Sequence, residues 1–319
     1  MTLSFRFLQM FLDGQHPFYP YTEEERQAIL KEHGLKDSII QEDVDAILEW
    51  YHKEVHLSSA PINRDFIERM LVIAKGSREK TKRRIDNFYK YRALAPELIQ
   101  NRMKLLTDSS EDFWSFYRQA AIPIAFEGKR ISVVKFSDAD VNAYSPEALF
   151  RNTLMLGDLR LKYDYIFNDI WILDFKNISF GHFLRTNPSV VQKSTQIFQE
   201  GTGIKISAIH LVNSPSFIQS ILTFMRQFVK PKVMDRVIAH ENISDLQKHI
   251  PKRYLPKDYG GDQPSLDEFK EKMEKEIRSG ATKDCLIEAC RLVSDENKRL
   301  GEKFHEEYLT GSFKKLDLD

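Results

Sequence analysis

Residues 207–229 read SAIHLVNSPSFIQSILTFMRQFV. Ala208–Val212 is a short apolar run, which predicts a buried strand. Asn213-Ser214-Pro215 breaks it, and a helical stretch follows that carries Phe217, Ile218, Ile221, Leu222, Phe224, Met225, Phe228 and Val229. Ser214 is placed to cap this helix, with Pro215 in its first turn. A helix this apolar behind a buried strand has two readings. It is ordinary core, or it covers an apolar space.

The neighbouring sequence sets that strand in a sheet. Upstream, AIPIAFE (121–127) and RISVVKFS (130–137) are strand-like and separated by GKR, which predicts a hairpin. Pro146 opens a helix to Lys162, DIWILDF (169–175) is a strand, and 180–183 and 188–200 read as helical. Downstream come a short helix at 231–235, the strand RVIAHE (236–241), the short helix ISDLQKHI (243–250) and the loop LPKDYGG (255–261). Strands alternating with helices predict an α/β fold with a mixed, mainly parallel sheet.

The flanks differ. Residues 21 to about 100 read as a small all-α module. Thr22 before three glutamates is an N-cap signal, Gly34 and Gly76 are stop signals, and Ser77 can cap the last long helix. The segment 265–303 is helical and highly charged. These shifts divide the chain into 1–105, 106–265 and 266–319.

Bulk composition excludes more than it selects. The chain has 319 residues, 42% hydrophobic and 29% charged, with 47 basic and 47 acidic side chains. That balance gives no general attraction to nucleic acid or anionic surfaces. The basic stretch TKRRIDNFYKYR (81–92) reads as a solvated helix face with buried aromatics rather than a nucleic-acid surface. The two cysteines, Cys285 and Cys290, match neither a redox pair nor a zinc pattern and are expected to be free thiols. Residues 1–15 lack a signal-peptide pattern, and no run reaches the roughly 20 apolar residues of a membrane span. The expected setting is cytoplasmic.

Signatures of catalysis are sparse. There is no phosphate-cradling glycine motif. His52 and His56 stand four apart without a third ligand nearby, so no metal is expected. Ser214 lies where a hydrolase nucleophile would, but Val212 and Ser216 replace the small flanking residues, and Pro215 has no N–H for an oxyanion. Asp174 ends a strand and could be an acid or a cap. His182 and His210 could form a relay or be satisfied core histidines.

The marks DIWILDFKNISFGHF (169–183), IKISAIHLVNSPSFIQSILTFMRQFVKPKV (204–233) and HIPKRYLPKDYGG (249–261), preceded by NFYKYRALAPEL (87–98), resemble the CRAL-TRIO lipid-binding family. The resemblance covers about residues 40–265 and is greatest to the α-tocopherol and retinaldehyde-binding branch, of insect type. It implies a CRAL-TRIO domain behind a helical preface, and a non-enzymatic intracellular carrier without a cofactor. One hydrophobic molecule, a retinoid, a tocopherol or a sesquiterpenoid such as juvenile hormone, would sit in a closed pocket. Residues 215–229 would be its mobile lid, able to dip into a membrane.

Position by position, the resemblance puts Phe150, Thr153, Gly157 and Leu173 in the pocket. It adds Phe180, Phe183, Ile197, Phe198, Ile204 and Ile209 as walls, and Ile218, Ile221, Leu222 and Met225 from the lid. Thr153 and Gly157 stand where tocopherol carriers have serine. Lys205, Lys232 and Arg236 fall in or beside a phosphoinositide-binding cleft, while Ser207 replaces a second strand cation and MLVIAKG (70–76) replaces an arginine-rich run. The competing readings are a membrane-recruitment adaptor, its partner bound through the charged tail, and an α/β hydrolase using Ser214.

Overall fold

The computed structural model describes residues 15–108, 114, 116–138, 140–278 and 280–300. The N-terminal helices are α1 (Glu23–Glu32), α2 (Asp37–Lys53), α3 (Arg64–Ile73) and α4 (Arg78–Ala93), followed by the short α5 (Pro96–Ile99) and α6 (Arg102–Thr107). Their ends follow local chemistry. Thr22 and Glu25 form a reciprocal capping box, and the Asn63 and Ser77 side chains accept from the third residue beyond them. Gly34 and Gly76 take positive φ after α1 and α3. Ile40, Val44, Ile47, Ile67, Met70, Leu71, Ile85 and Phe88 close a second core, which Leu161 and Tyr165 join.

The sheet runs β1 (Tyr117–Ala121), β2 (Arg130–Phe136), β3 (Asn168–Asp174), β4 (Lys205–Val212) and β5 (Val237–Ala239), in that spatial order. β1 is antiparallel to β2 and the other pairs are parallel. The hairpin forms, but its first strand lies earlier than AIPIAFE suggests. Pro123 has no N–H for the ladder, so pairing ends by Ile122, whose N–H donates to Ile131 O at 2.8 Å. The crossover from β2 to β3 is α7 (Pro146–Tyr163), capped by Ser145. From β3 the chain passes through α8 (Phe180–Leu184) and α9 (Pro188–Gln196). The expected helix to residue 200 loosens into a π-helical turn, Ile197–Thr202, and stops at Gly203 with φ +66°.

After β4 come α10 (Ile218–Met225), α11 (Pro231–Met234) and α12 (Ile243–Leu246), then α13 (Leu266–Ile277) and α14 (Gly280–Ala289). The charged C-terminal segment has an apolar stripe. Leu266, Phe269, Met273, Ile277 and Leu286 join the main core with Val133, Ile172 and Val212 of the sheet. Two buried ionic clusters tie distant segments. Asp164 accepts from Arg130 Nη2 at 2.6 Å and Arg160 Nε at 3.1 Å, and Arg160 Nη1 reaches Asp169 Oδ2 at 2.6 Å. Burial works against the Asp164 carboxylate, yet the two guanidinium groups hold its pKa below the ordinary value. Arg92 binds Asp158 at 2.7 Å and donates to the carbonyls of Ala289 and Leu292, and Arg102 meets the other Asp158 oxygen at 2.8 Å.

Candidate ligand cavity

β2, β3 and β4 present one face to an interior space. Val134, Leu173 and Leu211 are paired across the three strands, and Trp171 lies opposite Ile209. Side chains alternate between faces, so each strand gives every second residue to this side. Helices α7, α9 and α10 roof it. Between roof and floor lies a cavity of about 840 Å³. That is the size of a small-molecule site.

The lining is mostly apolar. Of the positions singled out from sequence, Phe150, Thr153, Gly157 and Leu173 border the cavity, as do Phe183, Phe198, Ile204 and Ile209. Ile221 and Met225 border it from α10, with Phe224 between them. Gly157 is a place where the wall could be thicker, since an added Cβ would meet only Phe198, at 3.9 Å.

Four selected positions do not border it. Ile197 is fully buried, but in a cluster with Ala95, Leu98, Ile99, Leu154 and Val190 behind the wall. Phe180 is 45% exposed and packs edge-on against Phe217 at 5.4 Å. Ile218 and Leu222 are half-buried and share a flank of α10 four residues apart. One helix offers only one stripe to the space beneath it, and Ile221, Phe224 and Met225 hold that stripe. Ser214 does not cap α10. The helix begins at Ile218 behind Phe217, and Ser214 Oγ is buried without a hydrogen-bond partner, so no base stands ready to activate it.

Polar groups inside are few. Thr153 Oγ1 donates to Leu149 O at 2.8 Å and lies 3.3 Å from Gln119 Oε1. The Tyr144 hydroxyl meets Thr186 Oγ1 at 3.3 Å, and burial raises its pKa. His182 Nδ1 accepts from Ser179 N–H at 3.0 Å, and burial lowers the pKa of this imidazole. His182 borders the cavity, whereas His210 instead pairs with His240, Nδ1 to Nε2 at 2.8 Å, so the two form no relay. Asp174 is structural: it accepts from Asn213 Nδ2 at 2.7 Å, Lys176 N–H at 3.0 Å and the Tyr259 hydroxyl at 3.2 Å. Asn213 sits at φ +51°, a turn conformation that Asn tolerates, held by that contact. His52 and His56 do not share a helix face, because α2 ends at Lys53 and His56 turns to Asp86 at 2.8 Å. Among the described residues no group of three His, Cys, Asp or Glu is arranged to hold a metal ion.

One end of the cavity is basic. Lys75, Lys205 and Lys232 border it and are exposed, which marks where it meets solvent. Arg236 borders it too, with its guanidinium tied to Ile206 O. Sequence reasoning picked out Lys205, Lys232 and Arg236 here but missed Arg84, which comes from α4 in the stretch read as a solvated face. The only local signal for it is Gly203, where a Cβ would lie 1.5 Å from Arg84 Nη1.

Strands β2–β5, their helical roof, most of the apolar hollow and the apolar helix after β4 lie within residues 126–261, which match the CRAL/TRIO domain. The chain is similar to the α-tocopherol transfer protein-like protein of Mus musculus, 26% identical over 230 residues, which is 70% of this chain and 66% of that one. It is also similar to Clavesin-1 of Rattus norvegicus, 29% identical over 99 residues, 31% of this chain and 28% of that one. The matched part of the chain thus spans less than two thirds of each relative. The crystal structure of Sfh5 superposes with a TM-score of 0.46 at 13% identity, over 78% of this chain and 92% of that one. Among the described residues no helix is long and apolar enough to cross a membrane.

Proposed function

We propose that this protein binds one small hydrophobic molecule in the cavity and transfers it between membranes without chemically changing it. The observation that carries this reading is the hollow itself, about 840 Å³ with an apolar lining, left unfilled by side chains between sheet and roof. Protein interiors are ordinarily close-packed, so a space of this size is built for an occupant. Burying a ligand of about twenty carbons contributes on the order of 10 kcal/mol before the costs of ordering it. That is enough to compete with a bilayer. Retinoids, tocopherols and sesquiterpenoids such as juvenile hormone are the ligand classes of choice, and the similarity to an α-tocopherol transfer protein-like protein supports this range.

Residues 215–229 serve as the lid. Only Phe224 of α10 is buried, so the helix can swing away without opening the main core. Swung out, its apolar stripe would enter the headgroup boundary of a membrane. Lys205, Lys232 and Arg236 would then face the surface and hold a phosphoinositide headgroup, whose phosphates need convergent cationic donors. The binding domain in this reading is 106–265, with 1–105 as its helical preface and 266–319 as its C-terminal segment.

Native mass spectrometry of the purified protein, followed by organic extraction, tests the reading. One stoichiometric apolar molecule is the expected result. No bound molecule, together with no uptake from a panel of retinoids, tocopherols, terpenoids and phospholipids, would overturn it.

A further inference from the structure

One patch of the cavity wall is polar and unpaired. Gln119 on β1 and Ser132 on β2 both border the cavity and are 5% and 8% exposed. Their register puts them on one face. Gln119 is paired with Val134, and Ser132 with Ala121 on one side and Trp171 on the other. Residues directly opposite each other share a face, so Gln119 and Ser132 are diagonal neighbours on the side that Val134, Trp171 and Leu173 give to the hollow. Ser132 Oγ has no hydrogen-bond partner among the described residues, and neither has the end of the Gln119 amide turned away from Thr153. Neither atom is sealed from water, and with both residues buried the surface they keep opens on the hollow.

Proton counting fixes what this patch offers. Thr153 Oγ1 lies 2.8 Å from Leu149 O, and a carbonyl only accepts, so the single hydroxyl proton of Thr153 is committed there. Toward the Gln119 amide, 3.3 Å away, Thr153 can then only accept. The two ends of a glutamine amide are told apart by their partners alone. A carbonyl opposite Thr153 would set two acceptors against each other, so the NH2 stands there and the carbonyl faces the hollow. Ser132 Oγ is a rotatable hydroxyl, able to donate to an oxygen on the occupant. By contrast, the charged pair on the same wall is closed, with Arg160 bonded to Asp169 at 2.6 Å. The patch is therefore neutral and leaves one acceptor and one donor free at one place on an apolar wall.

We infer that Gln119 and Ser132 hold the head of the bound molecule, and that this head is an uncharged hydroxyl, an alcohol or a phenol. Its proton goes to the Gln119 carbonyl, and its oxygen accepts from Ser132 Oγ. The diagonal Cβ separation is about 7 Å, which one oxygen between a long amide side chain and a hydroxyl can bridge. An aldehyde, ether or ester takes the Ser132 proton but leaves the Gln119 carbonyl unpaired, and burying an unpaired acceptor is costly. A carboxylate adds a negative charge beside that carbonyl. The inference rests on the cavity being the cargo site and narrows the cargo within it.

Pairwise competition tests it. The full chain is mixed with equimolar, subsaturating pairs: retinol with retinal, farnesol with farnesal, and α-tocopherol with its methyl ether. Bound compound is recovered by gel filtration, extracted and quantified by mass spectrometry. For each pair that binds, the unmodified protein is expected to hold the hydroxyl form over the other on the order of tenfold. The aldehydes are no bulkier than the alcohols, so size does not account for such a ratio. Gln119→Met, of similar volume, should bring the ratio near unity and leave aldehyde uptake unchanged, which also shows that the variant is folded. Ser132→Ala should weaken both members of a pair alike and keep the ratio. Equal uptake within every pair by the unmodified protein would overturn the inference while the cavity reading stands. A ratio untouched by Gln119→Met, or uptake untouched by Ser132→Ala, would do the same. Uptake of none of these compounds would overturn both.

Discussion

His210, His240 and His249 gather at the far side of β4, with ring centroids 5.1 to 5.2 Å apart. Burial, and then the two neighbouring imidazoles, push His210 from 6.5 down to about 4. Asp245 and Lys248 act on the same cluster with opposite signs. A histidine whose folded pKa lies below its unfolded value stays neutral in the fold, while the unfolded chain takes up the proton first. Its contribution to stability is complete above pH 6.5 and is lost as the pH falls toward 4, about 3 kcal/mol in all. His16, also lowered to about 4 by burial, adds a parallel loss. Urea unfolding between pH 7.5 and 4.5 should therefore show a shallower pH dependence for His210→Gln than for the unmodified protein. Equal slopes would remove His210 from this account. At the same scale, Arg84 and Arg92 show why single residues were hard to read. Both lie in a stretch whose charges suggest a solvated face, but the partners that draw Arg92 inside, Asp158, Ala289 and Leu292, are far along the chain.

Among the elements, α10 carries most of the functional argument. Its apolar side chains were visible from the sequence, and the strand before it, Lys205–Val212, contains the apolar run Ala208–Val212 and begins three residues earlier. The direction its stripe faces was not visible, because a helix alone does not say which side meets a hollow. Ile221→Asp with Met225→Asp places two carboxylates against the cavity. Loss of retained cargo by more than about tenfold is expected, because an ionised carboxylate in an apolar site is strongly unfavourable. Both side chains are only half-buried, so the urea midpoint should shift by no more than about 2 kcal/mol in equivalent stability. Quantifying cargo by extraction alongside urea unfolding checks both halves. Retained cargo in a folded double variant would remove α10 from the lid role.

For the whole molecule, the C-terminal helices are part of the structure that holds the sheet. α13 and α14 supply Leu266, Phe269, Met273, Ile277 and Leu286 to the main core, and their exit loop receives Arg92. Burying five such side chains is worth on the order of 10 kcal/mol, comparable to the whole stability of a domain. Ending the chain at Pro264 is therefore expected to abolish cooperative unfolding, seen as loss of the urea transition. A truncated chain that unfolds with an unchanged midpoint would contradict this packing. Tail deletion therefore cannot separate a carrier from an adaptor.

The sequence by itself determined the α/β alternation, the helical preface, the capped helix ends and the apolar stretch after β4, because these depend on local periodicity and on short-range hydrogen bonding. The wall positions were legible only through the family resemblance, residue by residue, since most of them lie on helices. Tertiary structure alone decided that a hollow lies between roof and floor, that Ile197 sits behind its wall, and that Phe180 points outward. It also decided that the charged tail buries a stripe and that Arg84 ends over Gly203 without a partner. Each of these depends on which distant surfaces meet, and periodicity along one segment carries no information about the segment it will touch.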